Sequence, residues 1–76
     1  MSINSLKWEQ TCCAWHGQYA EAATPDGGML RLKRASNVAG ILSTRFGPNG
    51  KALDVDADGV PAYVERTEAE VLALLA

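Results

Sequence analysis

The sequence predicts a small α+β protein that is mostly β: an antiparallel β meander of five or six strands, forming a sheet or an open barrel, with one C-terminal helix. Turn signals recur about every ten residues, at 16–17, 24–28, 47–50 and 58–59, as expected for short strands joined by hairpins. Residues 29–34 alternate apolar and basic side chains, which is typical of a strand with one buried face. The last ten residues carry a helix N-cap signal followed by an apolar stripe, which is typical of an amphipathic helix.

The chain length indicates a single small domain spanning residues 1–76. A chain this short buries only about 60% of the surface that its unfolded form exposes, so a deep substrate cleft is not expected. The composition, with 47% hydrophobic and 21% charged residues, is ordinary for a soluble globular protein.

The clearest hairpin is predicted around TPDG. Pro25 suits the second position of a type I turn, and Gly27 can take the left-handed conformation that closes the turn. The turn should join a strand over 18–23 to a strand over 29–34.

A second hairpin is predicted at Asn49-Gly50, a pair that favours a two-residue type I′ turn. Counting back from this turn places Phe46 opposite Leu53, and it places Arg45 opposite Asp54 as a pair of opposite charges. The preceding segment, 36–44, is compatible with either a strand or a helical turn, because Gly40 weakens its apolar helical face.

The C-terminus predicts the helix. Thr67 followed by Glu70 makes a capping box, and Glu68 and Glu70 add negative charge to the first turn, where the helix dipole favours it. The apolar stripe consists of Val71, Leu72 and Leu75. A helix of about ten residues is not stable alone in water, so we expect it to dock on the sheet of its own chain.

The stretch DVDADGVPAYVE, residues 54–65, has the spacing of a calcium loop, which takes oxygen ligands at positions 1, 3, 5, 7 and 12 and glycine at position 6. In this chain the ligands would be Asp54, Asp56, Asp58, the Val60 carbonyl and Glu65. The spacing resembles EF-hand and dockerin loops, and this resemblance implies Ca²⁺ as a cofactor. GPNG stands where an EF-hand has its entering helix, and Pro61 lacks the N–H used at the eighth position.

The same letters also predict a hairpin, which we favour over the calcium loop. A type I′ turn at Asp58-Gly59 places Val55 opposite Ala62 and gathers one wholly apolar face. The members of that face are Leu53, Val55, Ala57, Val60, Ala62 and Val64. Pro61 then falls in a pair without hydrogen bonds, where its missing N–H is harmless. No cofactor is expected, and Ca²⁺ is the alternative.

Charge is distributed unevenly along the chain. Residues 1–51 hold six basic and three acidic side chains, whereas residues 52–76 hold one basic and six acidic ones. Such asymmetry can give a molecule one acidic side. The predicted partner-binding residues are Asp54, Asp56, Asp58, Tyr63, Glu65 and Glu68. The expected partner is therefore a protein with a basic surface.

Catalysis and zinc binding are not predicted. The sequence has no Ser/His/Asp set and no phosphate loop, and the adjacent Cys12 and Cys13 would point to opposite faces of a strand. The role of these cysteines stays open, and so does that of the nearby His16.

Single-stranded nucleic acid is an alternative partner. It would need aromatic rings to lie beside basic side chains of the second strand. The candidate residues are Trp8, Trp15, Tyr19, Arg31, Lys33 and Arg34. The net charge of −2 argues against this alternative.

A cytoplasmic location is expected, and no membrane contact. The first ten residues lack the basic start and apolar run of a signal peptide. The longest apolar run, VLALLA at 71–76, is far too short to span a bilayer.

The build of the chain resembles small accessory proteins of phages and mobile elements, including anti-CRISPR proteins. The resemblance lies in Lys7-Trp8-Glu9, in the GG-L-x-L-K-R strand over 27–34, and in the short helix behind Thr67. It implies a small, acidic, non-catalytic inhibitor that binds a host protein. The monomeric or dimeric state and the identity of the partner are not indicated by the sequence.

Overall fold

The computed structural model describes residues 2–10, 17–35 and 39–76. Its elements are a 3₁₀ turn at Ile3–Ser5, β1 at Glu9–Gln10, β2 at Gln18–Ala23, β3 at Met29–Arg34, β4 at Ile41–Phe46, β5 at Val64–Arg66 and α1 at Glu68–Leu75. The strands form one antiparallel sheet in the order β1-β2-β3-β4-β5. The predicted fold class is therefore confirmed, as an open five-stranded sheet with one C-terminal helix.

Strands β2 and β3 have the predicted bounds. Ala20 lies opposite Leu32 and Ala22 lies opposite Leu30, so the alternation in β3 places its leucines on one face. The open question over 36–44 is answered in part, since residues 41–46 form strand β4. Residues 36–38 lie outside the described part of the chain.

The turns at 24–28, 47–51 and 56–60 share one geometry. In each, the N–H of the fourth residue donates to the carbonyl of the first, and the first residue also pairs through its N–H with the carbonyl of the fifth. The fourth residue is a glycine with φ between 80° and 88°. This is a type I turn followed by a glycine bulge, and it confirms the turn predicted at TPDG.

The two predicted type I′ turns are therefore wrong, and each register shifts by one residue. Phe46 lies opposite Ala52 instead of Leu53, and Val55 lies opposite Pro61 instead of Ala62. A type I′ turn would need positive φ at Asn49 and Asp58, and no described residue other than glycine has it.

In each hairpin, a residue two or three positions before the glycine explains why the type I turn forms instead of the type I′ turn. Pro48 has its φ fixed near the value that the second position of a type I turn requires. At the other turn, Asp56 accepts N–H bonds from Asp58 and Val60 through its Oδ1 atom. These side-chain hydrogen bonds stabilise the backbone conformation of the type I turn.

The core lies on one face of the sheet, under α1 and the 3₁₀ turn. Its buried members are Ile3, Ala20, Leu30, Leu32, Ile41 and Val71. The capping box of α1 is confirmed, since Thr67 accepts from the Glu70 N–H and Glu70 accepts from the Thr67 N–H. The helix docks on its own sheet as expected. No helix in the described ranges has the length and apolarity needed to cross a bilayer.

Candidate functional site

The edge of the sheet beside β4 is built by two separate segments. Ala52 lies opposite Phe46, and the Leu53 N–H donates to the Arg45 carbonyl at 2.7 Å. The other end of β4 pairs with β5, with Ser43 opposite Val64. Between these segments the chain leaves the sheet as a hairpin over 54–62, and its tip residues 56–61 are all exposed.

An ion pair anchors the base of this hairpin. Arg66 donates from Nη1 and Nη2 to the two carboxylate oxygens of Asp54, at 3.0 and 3.1 Å. The same Nη1 donates to the Ser43 hydroxyl at 2.6 Å, and Asp54 also accepts the N–H of Arg45 at 2.8 Å. The Arg66 and Asp54 side chains are only 17% and 16% exposed. The predicted pairing of Asp54 with the Arg45 side chain is wrong, because that side chain lies 3.9 Å from Asp26 instead.

The electrostatics of the anchor favour the charged form of Asp54. Partial burial raises the pKa of the Asp54 carboxyl, but the hydrogen bonds and charge of Arg66 and the N–H of Arg45 outweigh it. They hold the pKa below its ordinary value. Arg66 therefore extends the pH range over which Asp54 is ionised, and the pair ties the hairpin to β4 and β5.

The two arms of the hairpin pair on either side of Val55 and Pro61. The Asp56 N–H donates to the Val60 carbonyl at 2.9 Å, and the Ala62 N–H donates to the Asp54 carbonyl at 3.0 Å. Val55 and Pro61 lie opposite each other between these bonds. Pro61 thus occupies a pair that needs no N–H, as predicted, although its partner is Val55 instead of Asp56.

Exposed hydrophobic surface concentrates on this segment. Among the described residues, every large hydrophobic side chain that is exposed lies between positions 53 and 64. They are Leu53 at 53%, Val55 at 47%, Val60 at 54%, Tyr63 at 44% and Val64 at 41%. We call these five side chains the apolar hairpin surface. The predicted wholly apolar face is wrong, because the register that pairs Val55 with Pro61 places Val60 opposite Asp56, on the other face of the hairpin. The sequence also did not indicate that these side chains stay exposed.

The predicted acidic residues do not all face solvent in the same way. Asp54 is held by Arg66, and Asp56 is bonded to the backbone of its own turn. Asp58, Glu65 and Glu68 are exposed, and within the described part of the chain their carboxylates form no ion pair. Asp56 is exposed as well, so the acidic contribution to the surface comes from Asp56 together with these three.

The proposed calcium ligands have other hydrogen-bond partners in the structure. Three of the five ligands already accept hydrogen bonds: Asp54 from Arg66, Asp56 from the turn backbone, and the Val60 carbonyl from the Asp56 N–H. In residues 2–10, 17–35 and 39–76, no group of three or more His, Cys, Asp or Glu side chains is arranged to hold a metal. Calcium binding would require Asp54 to exchange Arg66 for the ion, and it stays a hypothesis that a titration can test.

The face of the sheet opposite α1 carries a second set of functional groups. The register places Tyr19 opposite Lys33, Arg31 opposite Thr44, and Met29 opposite Phe46. The Arg31 guanidinium lies 4.9 Å from the centre of the Phe46 ring. The Lys33 Nζ lies 6.0 Å from the centre of the Tyr63 ring. We call this set, Tyr19, Arg31, Lys33, Phe46 and Tyr63, the uncovered sheet face.

Tyr19 is fixed at one side of this face. Its hydroxyl donates to the Glu21 carboxylate at 2.7 Å. Partial burial, and then the bond and charge of Glu21, raise the pKa of Tyr19 to about 12. The phenol is therefore neutral at physiological pH and keeps its ring in place.

The basic and aromatic residues grouped from the sequence are divided between the two faces. Arg34 stacks on Trp8, with its guanidinium 4.0 Å from the ring centre, and donates to Gln18 and Asn4. Trp8 also packs against the core. Both belong to the helix-covered side, so Trp8 and Arg34 do not meet the condition that the nucleic-acid alternative sets for them. Phe46 and Tyr63 lie beside the basic side chains of β3 instead. Trp15 lies outside the described residues, as do Cys12, Cys13 and His16.

No protein-family model matches this chain, and no significant match to it was found among curated proteins or solved structures. Function must therefore be argued from the hairpin and the sheet face themselves.

Proposed function

We propose that this chain is a small non-catalytic interaction protein that binds a partner protein through the apolar hairpin surface. The observation that carries the proposal is the confinement of all large exposed hydrophobic side chains of the described residues to positions 53–64. Large exposed apolar side chains that are concentrated in one segment are candidates for a contact site. Val55 and Val60 lie on the exposed hairpin, and Leu53, Tyr63 and Val64 flank its base. Together they offer apolar side chains to a groove of a partner.

The anchor gives this surface a defined shape. The Asp54–Arg66 pair and the Thr44 hydroxyl, which donates to the Ala62 carbonyl at 2.9 Å, fix both arms of the hairpin. A surface that is already ordered loses less conformational entropy on binding. Rigid presentation thus favours affinity from a small contact area.

The exposed carboxylates near the apolar hairpin surface indicate the charge of the partner's contact surface. Asp58, Glu65 and Glu68 would face a basic rim and would mainly speed and orient association. Together with the resemblance to accessory proteins of phages and mobile elements, this chemistry supports an inhibitor of the anti-CRISPR kind. Its partner would be a host protein with an apolar groove and a basic rim.

Affinity capture from host lysate tests the proposal with a matched set of variants. The triple variant Val55→Thr, Val60→Thr and Val64→Thr keeps side-chain shape but replaces exposed methyl groups with hydroxyls. We expect it to fold normally and to retain the partner at least about tenfold less, since each tenfold step corresponds to about 1.4 kcal/mol. The control Ala23→Thr introduces a threonine at an exposed position of β2, away from the hairpin, and should capture the partner normally.

The acidic rim has its own variant. Asp58→Asn, Glu65→Gln and Glu68→Gln together should slow association and weaken its salt dependence, with a smaller effect on dissociation. Charge reversal at Asp54 would be misleading, because it breaks the anchor. Undiminished capture by the folded valine variant would contradict the proposal.

A further inference from the structure

We propose that the uncovered sheet face binds single-stranded nucleic acid, a function beyond protein binding by the apolar hairpin surface, with which the face shares Tyr63. Antiparallel sheets bind single strands by stacking bases on aromatic side chains while basic side chains hold the phosphates. The face has both kinds of group in one place: three rings, from Tyr19, Phe46 and Tyr63, and two cations, from Arg31 and Lys33.

The spacing of these groups follows from the sheet register. Lys33 lies directly opposite Tyr19 and close to the Tyr63 ring, so it sits between two aromatic side chains. Arg31 follows two residues away on the same face of the central strand, about 7 Å along it, and stacks on Phe46. Each cation is thus paired with a ring, which orders the long side chain and keeps its charge at the surface.

The charges on this face are arranged in a stripe. Both cations lie on β3, the middle strand of five. The acids on the same face lie on other strands: Glu9 on β1, Glu65 on β5, and Glu21 on β2 directly opposite Arg31. Glu21 is also bonded to the Tyr19 hydroxyl. A single-stranded nucleic acid that lies along β3 would therefore place its phosphates over the two cations. The local positive charge would act there although the whole protein carries a net charge of −2.

The same arrangement limits the affinity and selects the kind of nucleic acid. Two cations neutralise about two phosphates, which predicts a slope of log affinity against log salt of about −1.4 for single strands. Rings on an open sheet need unstacked bases, so duplexes should bind at least about tenfold more weakly. Because the argument uses only bases and phosphates, RNA and DNA single strands should bind within about tenfold of each other.

Fluorescence anisotropy with labelled twenty-residue oligo(U) and oligo(dT), at several salt concentrations, measures these quantities. Arg31→Gln and Lys33→Gln should each bring the salt slope from about −1.4 to about −0.7, and together they should bring it near zero. Lys51→Gln removes the same charge from an exposed turn outside the face and should leave the slope unchanged. Tyr63→Ala should weaken binding about 5- to 100-fold.

The outcomes separate this proposal from the proposed function. The threonine variant at Val55, Val60 and Val64 should bind oligonucleotides like the unaltered chain even if it loses its protein partner. Absence of binding to both oligonucleotides at low salt, or equal binding of a duplex, would overturn the proposal. If no oligonucleotide binds and Arg31→Gln instead lowers partner retention, the face belongs to protein contact and the proposal is wrong.

Discussion

The Asp54–Arg66 anchor makes the most quantitative prediction. Asp54→Asn keeps the size of the side chain and one oxygen that can accept the Arg45 N–H. It removes the negative charge that both Arg66 nitrogens contact, at 3.0 and 3.1 Å. Arg66 is then left mostly buried, at 17% side-chain exposure, with the Ser43 hydroxyl as its main remaining partner.

The size of the effect follows from the burial of the pair. Breaking a fully buried pair by removing one partner costs about 3–5 kcal/mol, whereas exposed pairs contribute about 0–1 kcal/mol. With both side chains about five-sixths buried and the asparagine oxygen retained, we expect a loss of about 2 kcal/mol. In a domain of this size, that loss lowers the melting temperature by about 8–16 °C.

Urea denaturation followed by circular dichroism measures the change, with Asp58→Asn as the matched control. Asp58 lies on the same hairpin but is exposed, so its substitution should stay within about 0.5 kcal/mol. Equal effects of the two variants would refute the assigned role of the anchor.

The pH dependence gives an independent check. Because the folded-state pKa of Asp54 is lowered, its stabilising contribution is present above the unfolded pKa of about 4. The contribution is lost as the pH falls through the folded value. The stability difference between the unaltered chain and Asp54→Asn should therefore be constant from pH 7 to pH 5 and should shrink below about pH 4. A difference that does not change with pH would contradict the charge-based explanation.

The remaining predictions concern the fold and use the same denaturation assay. Thr67→Ala removes the side-chain cap of α1 and should cost about 1 kcal/mol, whereas Thr67→Ser should cost much less. Leu32→Ala empties a fully buried core position and should cost about 2–5 kcal/mol, enough to leave much of the chain unfolded. Gly59→Ala meets no atom within 4 Å but has φ of +80°, so it should cost about 1–2 kcal/mol through backbone strain alone. A neutral Gly59→Ala would mean that the turn at 56–60 has another geometry.

The sequence was sufficient where a single local signal decides the structure. Alternation and TPDG placed β2 and β3, and the Thr67–Glu70 box placed α1, because these patterns act over a few residues. The hairpin registers were mispredicted because Asn49-Gly50 and Asp58-Gly59 fit two turn types. The choice between them depends on Pro48, and at the other turn on the side-chain bonds of Asp56.

The contacts within the candidate site could not be predicted from the sequence. The sequence singled out residues 53–65, but the contact of Asp54 with Arg66 depends on the path by which β5 returns to β4. Phe46 could be placed beside Arg31 only once the pairing of β3 with β4 was known. The apolar hairpin surface is exposed because no element of residues 2–10, 17–35 or 39–76 covers it, and alternation cannot indicate this.

The central claim is that the apolar hairpin surface contacts the partner protein. It is tested most directly by comparing the partner's affinity for the unaltered chain with its affinity for the threonine variant at Val55, Val60 and Val64. Biolayer interferometry with the purified partner gives both dissociation constants, and circular dichroism verifies that the variant is folded. The apolar hairpin surface predicts a loss of at least about tenfold in affinity, or about 1.4 kcal/mol, with Ala23→Thr unchanged. Equal affinity of the folded variant and the unaltered chain would contradict the claim that the hairpin is the contact site.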